Sequence, residues 1–205
     1  MATRAEQKLK TRRAILDAAL DLLGEQRSLD SIGLREVTRQ AGLAAPSFYR
    51  HFRDMEELGL ALVEEAGLFL RQMLRKTRQR IGQSGSAIEV SVDTFIEFLE
   101  HYPIHFRILL QEQVGYSPEF RKAVRAEVDN FVGELVSYLN YRSEEIKRPK
   151  LHAQNAAEAM IAVIIAMGTK LSVLERKEKQ LIRANTIEQL KMVMLGAIKV
   201  SQSSS

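Results

Sequence analysis

The sequence predicts an all-α protein in which a three-helix N-terminal segment is followed by a bundle of about six further helices. Three observations support this prediction. Apolar residues recur three and four positions apart along most of the chain, which is the period of an amphipathic helix. The 205 residues include only 11 glycines and 4 prolines, so long stretches have neither. No segment alternates polar and apolar residues for long enough to indicate a β-strand.

The first quarter of the chain contains three short helical patterns. The first extends from Thr11 to about Gly24. The second covers residues 34–41 and stops at Gly42, because glycine readily adopts the left-handed conformation that ends many helices. The third places Phe48 and Phe52 on one face. Three helices in about 45 residues are the size of a helix-turn-helix module.

The remainder predicts six longer helices. Asp54 is a natural N-cap for the first of them. We expect a break at residues 82–86, a helix end near Pro103, and fraying at residues 201–205. The predicted helices cover residues 54–81, 86–101, 104–113, 117–140, 151–174 and 178–199.

No segment predicts membrane insertion or export. The longest apolar run, residues 159–168, has half of the about 20 residues that a membrane-spanning helix needs, so it predicts a buried helix. The polar N-terminus lacks the apolar core of a signal peptide. We therefore expect a cytoplasmic protein that does not bind membranes.

The excess positive charge lies entirely at the N-terminus. The formal net charge is +4, and residues 1–53 hold 10 Lys and Arg against 6 Asp and Glu. Residues 54–205 hold 20 of each sign. This distribution favours an acidic partner for the N-terminal segment. The absence of cysteine excludes disulfides and cysteine-ligated metals.

Residues 34–53 have the pattern of a helix-turn-helix motif. Val37 and Phe48 are among the apolar residues that can pack inward, and Gly42 permits the turn. The polar residues of the second helix then face outward, where they can enter a DNA major groove. The segment from Gln40 to Arg53 contains no acidic residue. The alternative is that its arginines form an ordinary solvated face.

The motif resembles the TetR family of bacterial transcriptional repressors. The resemblance covers Thr11-Arg12-Arg13-Ala14-Ile15-Leu16, Leu34-Arg35-Glu36-Val37, Ala41-Gly42-Leu43 and the run from Ser47 to Leu58. It implies a homodimer that binds a palindromic double-stranded DNA operator, with a DNA-binding domain at residues 8–53 and a ligand-binding and dimerisation domain at residues 54–200. Where most of the family has a Ser or Thr N-cap for the first motif helix, this chain has Gly33. The candidate DNA-binding residues are Arg12, Arg13, Arg35, Pro46, Ser47, Tyr49, Arg50, His51 and Arg53.

A narrower resemblance connects the chain with family members that repress unsaturated fatty acid synthesis. It covers residues 47–54, 57–60 and 70–72 and weakens toward the C-terminus. It implies an apolar cavity that binds a hydrophobic effector, a long-chain acyl-CoA or acyl carrier protein thioester. Core packing alone is the alternative for each lining residue. The candidate ligand-binding residues are Phe69, Met73, Phe95, Phe98, Leu99, Phe106, Leu109, Leu110, Phe131, Met160 and Ile164, and the candidate cations for a phosphate-bearing head group are Arg71, Arg75, Arg78, Arg107 and Arg121.

The last two helical patterns predict a dimer interface, because the family dimerises through a four-helix bundle. Packing within one chain is again the alternative. The candidate dimer residues are Met160, Val163, Met167, Leu190 and Met194.

Enzyme and metal chemistry have little support in the sequence. The chain has four histidines, His51, His101, His105 and His152, without acidic residues at metal-ligand spacing. It has no phosphate-binding glycine motif and no nucleophile motif. We therefore expect a DNA-binding regulator with no enzymatic activity, no metal and no cofactor. Two alternatives are a TetR-type repressor with another hydrophobic ligand and a non-catalytic helical protein that binds partners through its basic face.

Overall fold

The computed structural model describes residues 3–24, 27–81, 86–112, 117–145, 152–171 and 176–203. Within these ranges the chain forms nine α-helices and one short 3-10 turn, Leu29–Ser31, with no strand. The prediction of an all-α fold is therefore confirmed. The predicted break at residues 82–86 falls, except for Ser86, outside the described residues. The helices are α1 Arg4–Leu23, α2 Leu34–Gln40, α3 Ala45–Phe48, α4 Met55–Ile81, α5 Ala87–His101, α6 Pro103–Glu112, α7 Pro118–Glu145, α8 Ala153–Leu171 and α9 Arg176–Ser203.

The chain divides into two compact units. The first combines Met1–Gly67 with Ile104–Arg125, and the second combines Leu68–Pro103 with Ala126–Ser205. These units describe packing. The functional division at residues 53 and 54 stays a prediction.

In the first unit, α1 is longer than the sequence pattern indicated. It begins at Arg4 because Thr3 and Glu6 form a capping box, in which each side chain accepts a hydrogen bond from the other residue's backbone N–H. It ends at the predicted Gly24. The guanidinium of Arg107 on α6 donates a hydrogen bond to the Leu23 carbonyl oxygen, which satisfies one of the acceptors left open at the helix end.

The turn between α2 and α3 depends on Gly42. Gly42 has a φ of +65°, and its N–H donates to the Arg39 carbonyl oxygen at 3.1 Å. The N–H of Leu43 donates to the Thr38 carbonyl oxygen at 2.9 Å. These two bonds form a Schellman motif, as the sequence predicted for this glycine. At the other end of α2, the Glu36 carboxylate accepts from the N–H of the N-cap Gly33 at 3.1 Å and pairs with Arg27.

The third helix is shorter than predicted. α3 ends at Phe48, and Phe52 lies beyond it in a turn in which the N–H groups of His51 and Phe52 both bond to the Phe48 carbonyl oxygen. Phe48 and Phe52 are nevertheless both buried, with ring centroids 5.7 Å apart. The two side chains therefore meet as the spacing indicated, although one continuous helix does not carry them.

The long helix α4 starts where the sequence predicted. The Asp54 carboxylate accepts the Glu57 N–H at 2.8 Å and caps the helix. Within the first unit, Leu58, Leu62 and Val63 of α4 are buried. Gly59 allows a close approach of α7, because a Cβ at this position would lie 2.5 Å from Cζ of Phe120.

The second unit is built mainly from α5, α8 and α9, and α8 and α9 pack together most extensively. Arg183 of α9 forms a two-point ion pair with Asp93 of α5, with nitrogen–oxygen distances of 2.5 and 2.8 Å. The prediction that the chain frays from Ser201 is wrong as far as Ser203. Ser201 is buried in the last turn of α9, where its hydroxyl accepts the N–H of His152 at 3.0 Å. Residues 204–205 lie outside the described residues.

Candidate functional site

Residues 45–50, which comprise α3 and the two residues after it, present polar side chains on the surface of the first unit; we call them the recognition segment. Phe48 anchors the segment by complete burial, and the neighbouring Tyr49 is 60% exposed, with its ring packed edge-on against Phe48 at 5.7 Å. Pro46 and Arg50 are exposed, and Ser47 is half-buried. The buried Phe48 ring thus supports the exposed Tyr49 ring. Among the predicted DNA-binding residues, these four lie together.

Arg12 and His51 are two further predicted DNA-binding residues, and both are half-buried. The Arg12 guanidinium lies 4.4 Å from the centroid of the buried Phe52 ring, a cation–π contact that ties α1 to the turn after the recognition segment. Its Nη1 and the Nδ1 of His51 are buried without a hydrogen-bond partner in the described part of the chain. Burial lowers the pKa of His51, and the positive charges of Lys8, Arg12 and Arg50 lower it further. His51 is therefore neutral at physiological pH in the free protein.

Arg13, another predicted DNA-binding residue, is exposed and has carboxylate partners within the protein. Its guanidinium pairs with Asp17 on its own helix and, at 2.7 Å, with Glu65 of α4. Glu65 also pairs with the buried His105 of α6 at 3.1 Å. Burial alone would raise the pKa of Glu65, but the hydrogen bonds from His105 and Arg13 hold it below its usual value. Arg13 therefore connects α1 with α4 inside the unit, and its charge is already balanced.

The other two predicted DNA-binding arginines differ in their surroundings. Arg35 is exposed on α2. Arg53 is also exposed, and its side chain pairs with Glu57 at 3.1 Å in the first turn of α4. A phosphate group would have to compete with that carboxylate for Arg53.

The second unit contains an apolar cavity of about 120 Å³. No charged side chain lines it among the described residues, and the polar lining residues are Thr77, Ser91 and Tyr138. Such a lining suits an apolar ligand. The lining comes from α4, α5, α7, α8 and α9. The lining residues are Met73, Leu74, Thr77, Ala87, Ile88, Ser91, Phe95, Phe131, Leu135, Tyr138, Leu139, Met160, Ile161, Ile164, Leu190 and Met194.

Five of the predicted ligand-binding residues line this cavity: Met73, Phe95, Phe131, Met160 and Ile164. Phe69, Phe98 and again Met73 line a second, more polar pocket of about 170 Å³ within the same unit. Met73 therefore stands in the walls of both spaces. The second pocket also contains the ion pair between Lys76 and Glu97.

The remaining predicted ligand residues line neither space among the described residues: Leu99, Phe106, Leu109 and Leu110. Phe106 and Leu109 are buried on the part of α6 that belongs to the first unit. Helical spacing identified them correctly as inward-facing, but it does not reveal which of two cores a helix enters.

Most of the predicted head-group cations, Arg121 among them, have partners within the protein. Arg71 pairs with Glu127, Arg107 bonds the end of α1, and Arg78 donates to the Glu134 carbonyl oxygen at 2.7 Å. Arg78 is also 5.8 Å from the centroid of the Tyr138 ring, which places a cation beside the apolar cavity. Arg75 and Arg121 are exposed.

The predicted dimer residues lie mostly inside the single chain. Met160, Met167 and Leu190 are buried, and Met160, Leu190 and Met194 line the apolar cavity. Val163 is half-buried. A different face of α9 is apolar and exposed, with Met192 at 68% and Leu195 at 67%. On α8 the exposed positions include the small residues Ala159, Ala162 and Ala166.

The described residues contain no group of three or more His, Asp or Glu side chains able to hold a metal ion. His101 ends α5 and His105 lies in α6, with Pro103 starting the new helix between them, as predicted. No helix among them is both long and apolar enough to span a membrane.

Comparison with known proteins agrees with this geometry. Residues 15–62 match the family described as bacterial regulatory proteins of the tetR family. Solved structures of similar fold include the complex of SmeT with triclosan (TM-score 0.69, 19% identity, 91% of each chain covered) and a transcriptional regulator from Aquifex aeolicus (0.68, 18%, 89% of this chain and 99% of that one). A third is the regulator FadR from Bacillus subtilis in complex with stearoyl-CoA (0.68, 16%, 88% and 96%).

These identities are low, so the solved structures establish the fold, and the family match establishes the N-terminal domain. Residues 15–62 are a DNA-binding domain of the TetR family. The chain therefore combines a TetR-family DNA-binding domain at residues 15–62 with a fold that solved transcriptional regulators share.

Proposed function

We propose that this chain is a homodimeric repressor of fatty acid biosynthesis genes whose affinity for a palindromic operator changes when it binds a long-chain acyl thioester. The observation that carries the proposal is a cavity that has no charged lining residue in the part of the chain the structure describes, together with a TetR-family DNA-binding domain at residues 15–62. An acyl chain matches such a lining, because each methylene group that enters the cavity leaves water without any polar group of the ligand losing a hydrogen bond.

Two likenesses support the choice of ligand and target genes. Ser47-Phe48-Tyr49-Arg50-His51-Phe52-Arg53-Asp54, with Glu57-Leu58-Gly59-Leu60 and Leu70-Arg71-Gln72, resembles FabR, the repressor of unsaturated fatty acid synthesis. The FadR structure of similar fold holds stearoyl-CoA.

The cavity volume sets a condition on this ligand. About 120 Å³ is well below the roughly 300–1,000 Å³ of most ligand pockets, so a long acyl chain requires side chains to move. Met73, Met160 and Met194 line the cavity and have unbranched, flexible side chains suited to that adjustment. Displacement of Met73 would connect the cavity with the second pocket.

DNA binding is assigned to the exposed recognition segment. We propose that Tyr49 and Arg50 contact the major groove, with Pro46 and Ser47 beside them and Arg12, His51 and Arg35 near phosphates. Arg13 is left out because Glu65 and Asp17 already balance its charge.

Dimerisation brings two such segments to successive turns of the operator, about 34 Å apart or a multiple of that distance. We assign it to the exposed face of α8 and α9, which contains Ala162, Ala166, Met192 and Leu195, in place of the buried residues that the sequence suggested. α4 starts shortly after the recognition segment and contributes Met73, Leu74 and Thr77 to the cavity. A ligand that displaces α4 would therefore alter the spacing of the two recognition segments.

A mobility-shift experiment tests the proposal directly. The probes are the upstream region of the protein's own gene, a fatty acid desaturation promoter and an unrelated duplex, each with and without saturated and unsaturated acyl-CoA. We expect selective binding to at least one of the first two, and a change in affinity with acyl-CoA. Equal, weak binding to all three would favour a basic interaction protein. Selective binding that acyl-CoA never alters would indicate a constitutive regulator or another ligand.

One specific observation favours a second candidate ligand class. The SmeT structure of similar fold holds triclosan, a compact molecule, and the cavity as it stands is small. A compact apolar aromatic compound should therefore accompany acyl-CoA in the same experiment.

A further inference from the structure

Tyr138 on α7 has a polar group that the fold leaves unsatisfied. Its hydroxyl is buried and has no hydrogen-bond partner in the described part of the chain, although the residue lines the apolar cavity. Leaving a buried hydroxyl without a hydrogen-bond partner costs folding free energy. A group retained at such a cost is a candidate for binding something other than the protein itself.

The other two hydroxyl groups of the cavity wall are already satisfied. Thr77 donates to the Met73 carbonyl oxygen at 3.0 Å, and Ser91 donates to the Ala87 carbonyl oxygen at 2.7 Å. Both bonds lie within the residue's own helix. Tyr138 is therefore the lining side chain whose hydrogen-bonding capacity remains for a ligand, among the lining residues that the structure describes.

The charge around Tyr138 indicates which chemical group it suits. Burial raises the pKa of the phenol, and the nearby Arg142 and Arg78 only partly oppose this, so the hydroxyl stays protonated and can donate. The described residues of the cavity wall include no charged side chain, so a carboxylate inside the cavity would be buried without a counter-ion from that wall. An uncharged acceptor, such as a carbonyl oxygen, carries no such penalty.

We propose that Tyr138 donates a hydrogen bond to the carbonyl oxygen of an acyl ester or thioester whose chain occupies the apolar cavity, and that this bond selects such ligands over molecules of equal length that lack the carbonyl. The proposal rests on the proposed function, because it deepens the description of the same cavity. Arg78, next to the Tyr138 ring and about one-third exposed, marks the side on which a charged head group could remain in solvent.

The test pairs two ligands with two variants. The ligands are palmitoyl-CoA and its S-hexadecyl analogue, in which a methylene replaces the carbonyl. The proteins are the full-length wild type, Tyr138→Phe, and the matched control Tyr141→Phe, which changes a 62% exposed tyrosine on the same helix. Affinities are measured by titration calorimetry below the aggregation concentration of the ligands.

We expect wild type and Tyr141→Phe to bind palmitoyl-CoA about 3- to 10-fold more tightly than the alkyl analogue, the range for one hydrogen bond. Tyr138→Phe should bind both ligands equally. Without ligand, Tyr138→Phe should melt at a higher temperature than wild type, because it removes the unpaired hydroxyl and retains the ring.

Each failure has a distinct meaning. Equal binding of both ligands to wild type, or a preference that survives in Tyr138→Phe, would overturn the role of Tyr138 and leave the proposed function intact. If wild type bound neither ligand, the acyl thioester function would fall, and the Tyr138 proposal with it. If Tyr138→Phe melted at a lower temperature than wild type, the hydroxyl would have a partner within the protein, which also contradicts the proposal.

Discussion

Tyr49 combines exposure with rigid support, which is what a base-reading side chain needs. Phe48 is fully buried beneath it, and the two rings pack edge-on. We expect Tyr49→Ala to abolish selective operator binding, because a contact made only with DNA is lost, while the melting temperature changes little. Mobility shift and thermal melting measure the two effects. Glu56→Ala, an exposed change on α4, is the control, and a Tyr49→Ala protein that still selects its operator would contradict the assignment.

We expect His51 to make operator binding sensitive to pH. Its pKa is lowered in the free protein by burial and by Lys8, Arg12 and Arg50, and DNA phosphates would offset those three charges. Binding should then raise the pKa of His51 and take up a proton, so operator affinity should increase as the pH falls from 7.5 to 6, by at most about tenfold per unit for one proton. In His51→Gln this dependence should disappear, and a slope that persists in the variant would assign it to another group.

Glu112 at the end of α6 has a carboxyl group whose charged form is disfavoured in the folded protein. It is buried, one of its oxygens has no partner among the described residues, and burial together with nearby Asp30 raises its pKa. The folded state therefore holds this proton more tightly than the unfolded state does. Stability falls as the pH rises above the ordinary value of 4.5 toward the folded pKa.

Glu112→Gln should remove this loss of stability at higher pH, because the amide has a similar shape to the carboxyl group and does not ionise. We expect the melting temperature of the variant to exceed that of wild type at pH 7, with a smaller difference at pH 4.5. Circular dichroism melts at the two pH values measure this. A variant that is less stable than wild type at pH 7 would show that the carboxylate is favourably bound.

At the scale of helices, the close contact between α4 and α7 in the first unit depends on Gly59, which has no side chain. Gly59→Ala would gain up to about 1 kcal/mol of helix propensity, but its Cβ would meet the buried Phe120 ring, and overpacking of a core costs about 1–3 kcal/mol. We therefore expect a net loss of about 1–2 kcal/mol in the free energy of unfolding.

Denaturant unfolding measures this change. Gly133→Ala on α7 is the control, because its Cβ would meet nothing within 4 Å and should leave stability equal or slightly higher. The double variant with Phe120→Leu should recover part of the loss. If Gly59→Ala were stabilising, the Phe120 side chain would have moved to make room for the new methyl group, which would contradict the prediction.

Helices were the part of the fold that sequence patterns predicted best. Caps at Asp54 and the turn at Gly42 act through neighbouring residues, so their signals are local and readable. It was harder to predict which apolar helix faces are covered within the chain and which are left for a partner. α8 and α9 have apolar residues on more than one side, and periodicity shows that Met160 and Leu190 share faces with other apolar residues without showing whether the chain or a partner covers them. The partner of Arg13 was unreadable for a related reason, because Glu65 is 52 residues away in the sequence.

For the whole molecule, dimerisation should depend on the exposed face of α9. Leu195→Arg places a charge on that face without disturbing the buried core, so we expect a folded monomer by analytical ultracentrifugation. Operator affinity should fall by orders of magnitude, since two linked modules bind far more tightly than one. Tyr141→Arg, an equally exposed change on α7, should remain dimeric. A dimeric Leu195→Arg would place the interface elsewhere.

The carboxylate partners of Arg13, Arg27 and Arg53 bear on how this protein responds to ionic strength. DNA binding is driven largely by release of counterions from phosphates, and each phosphate that a cation neutralises contributes about 0.9 to the slope of log affinity against log salt. A guanidinium already neutralised by the protein releases no counterion. Operator binding should therefore weaken less steeply with added salt than a count of N-terminal lysines and arginines implies.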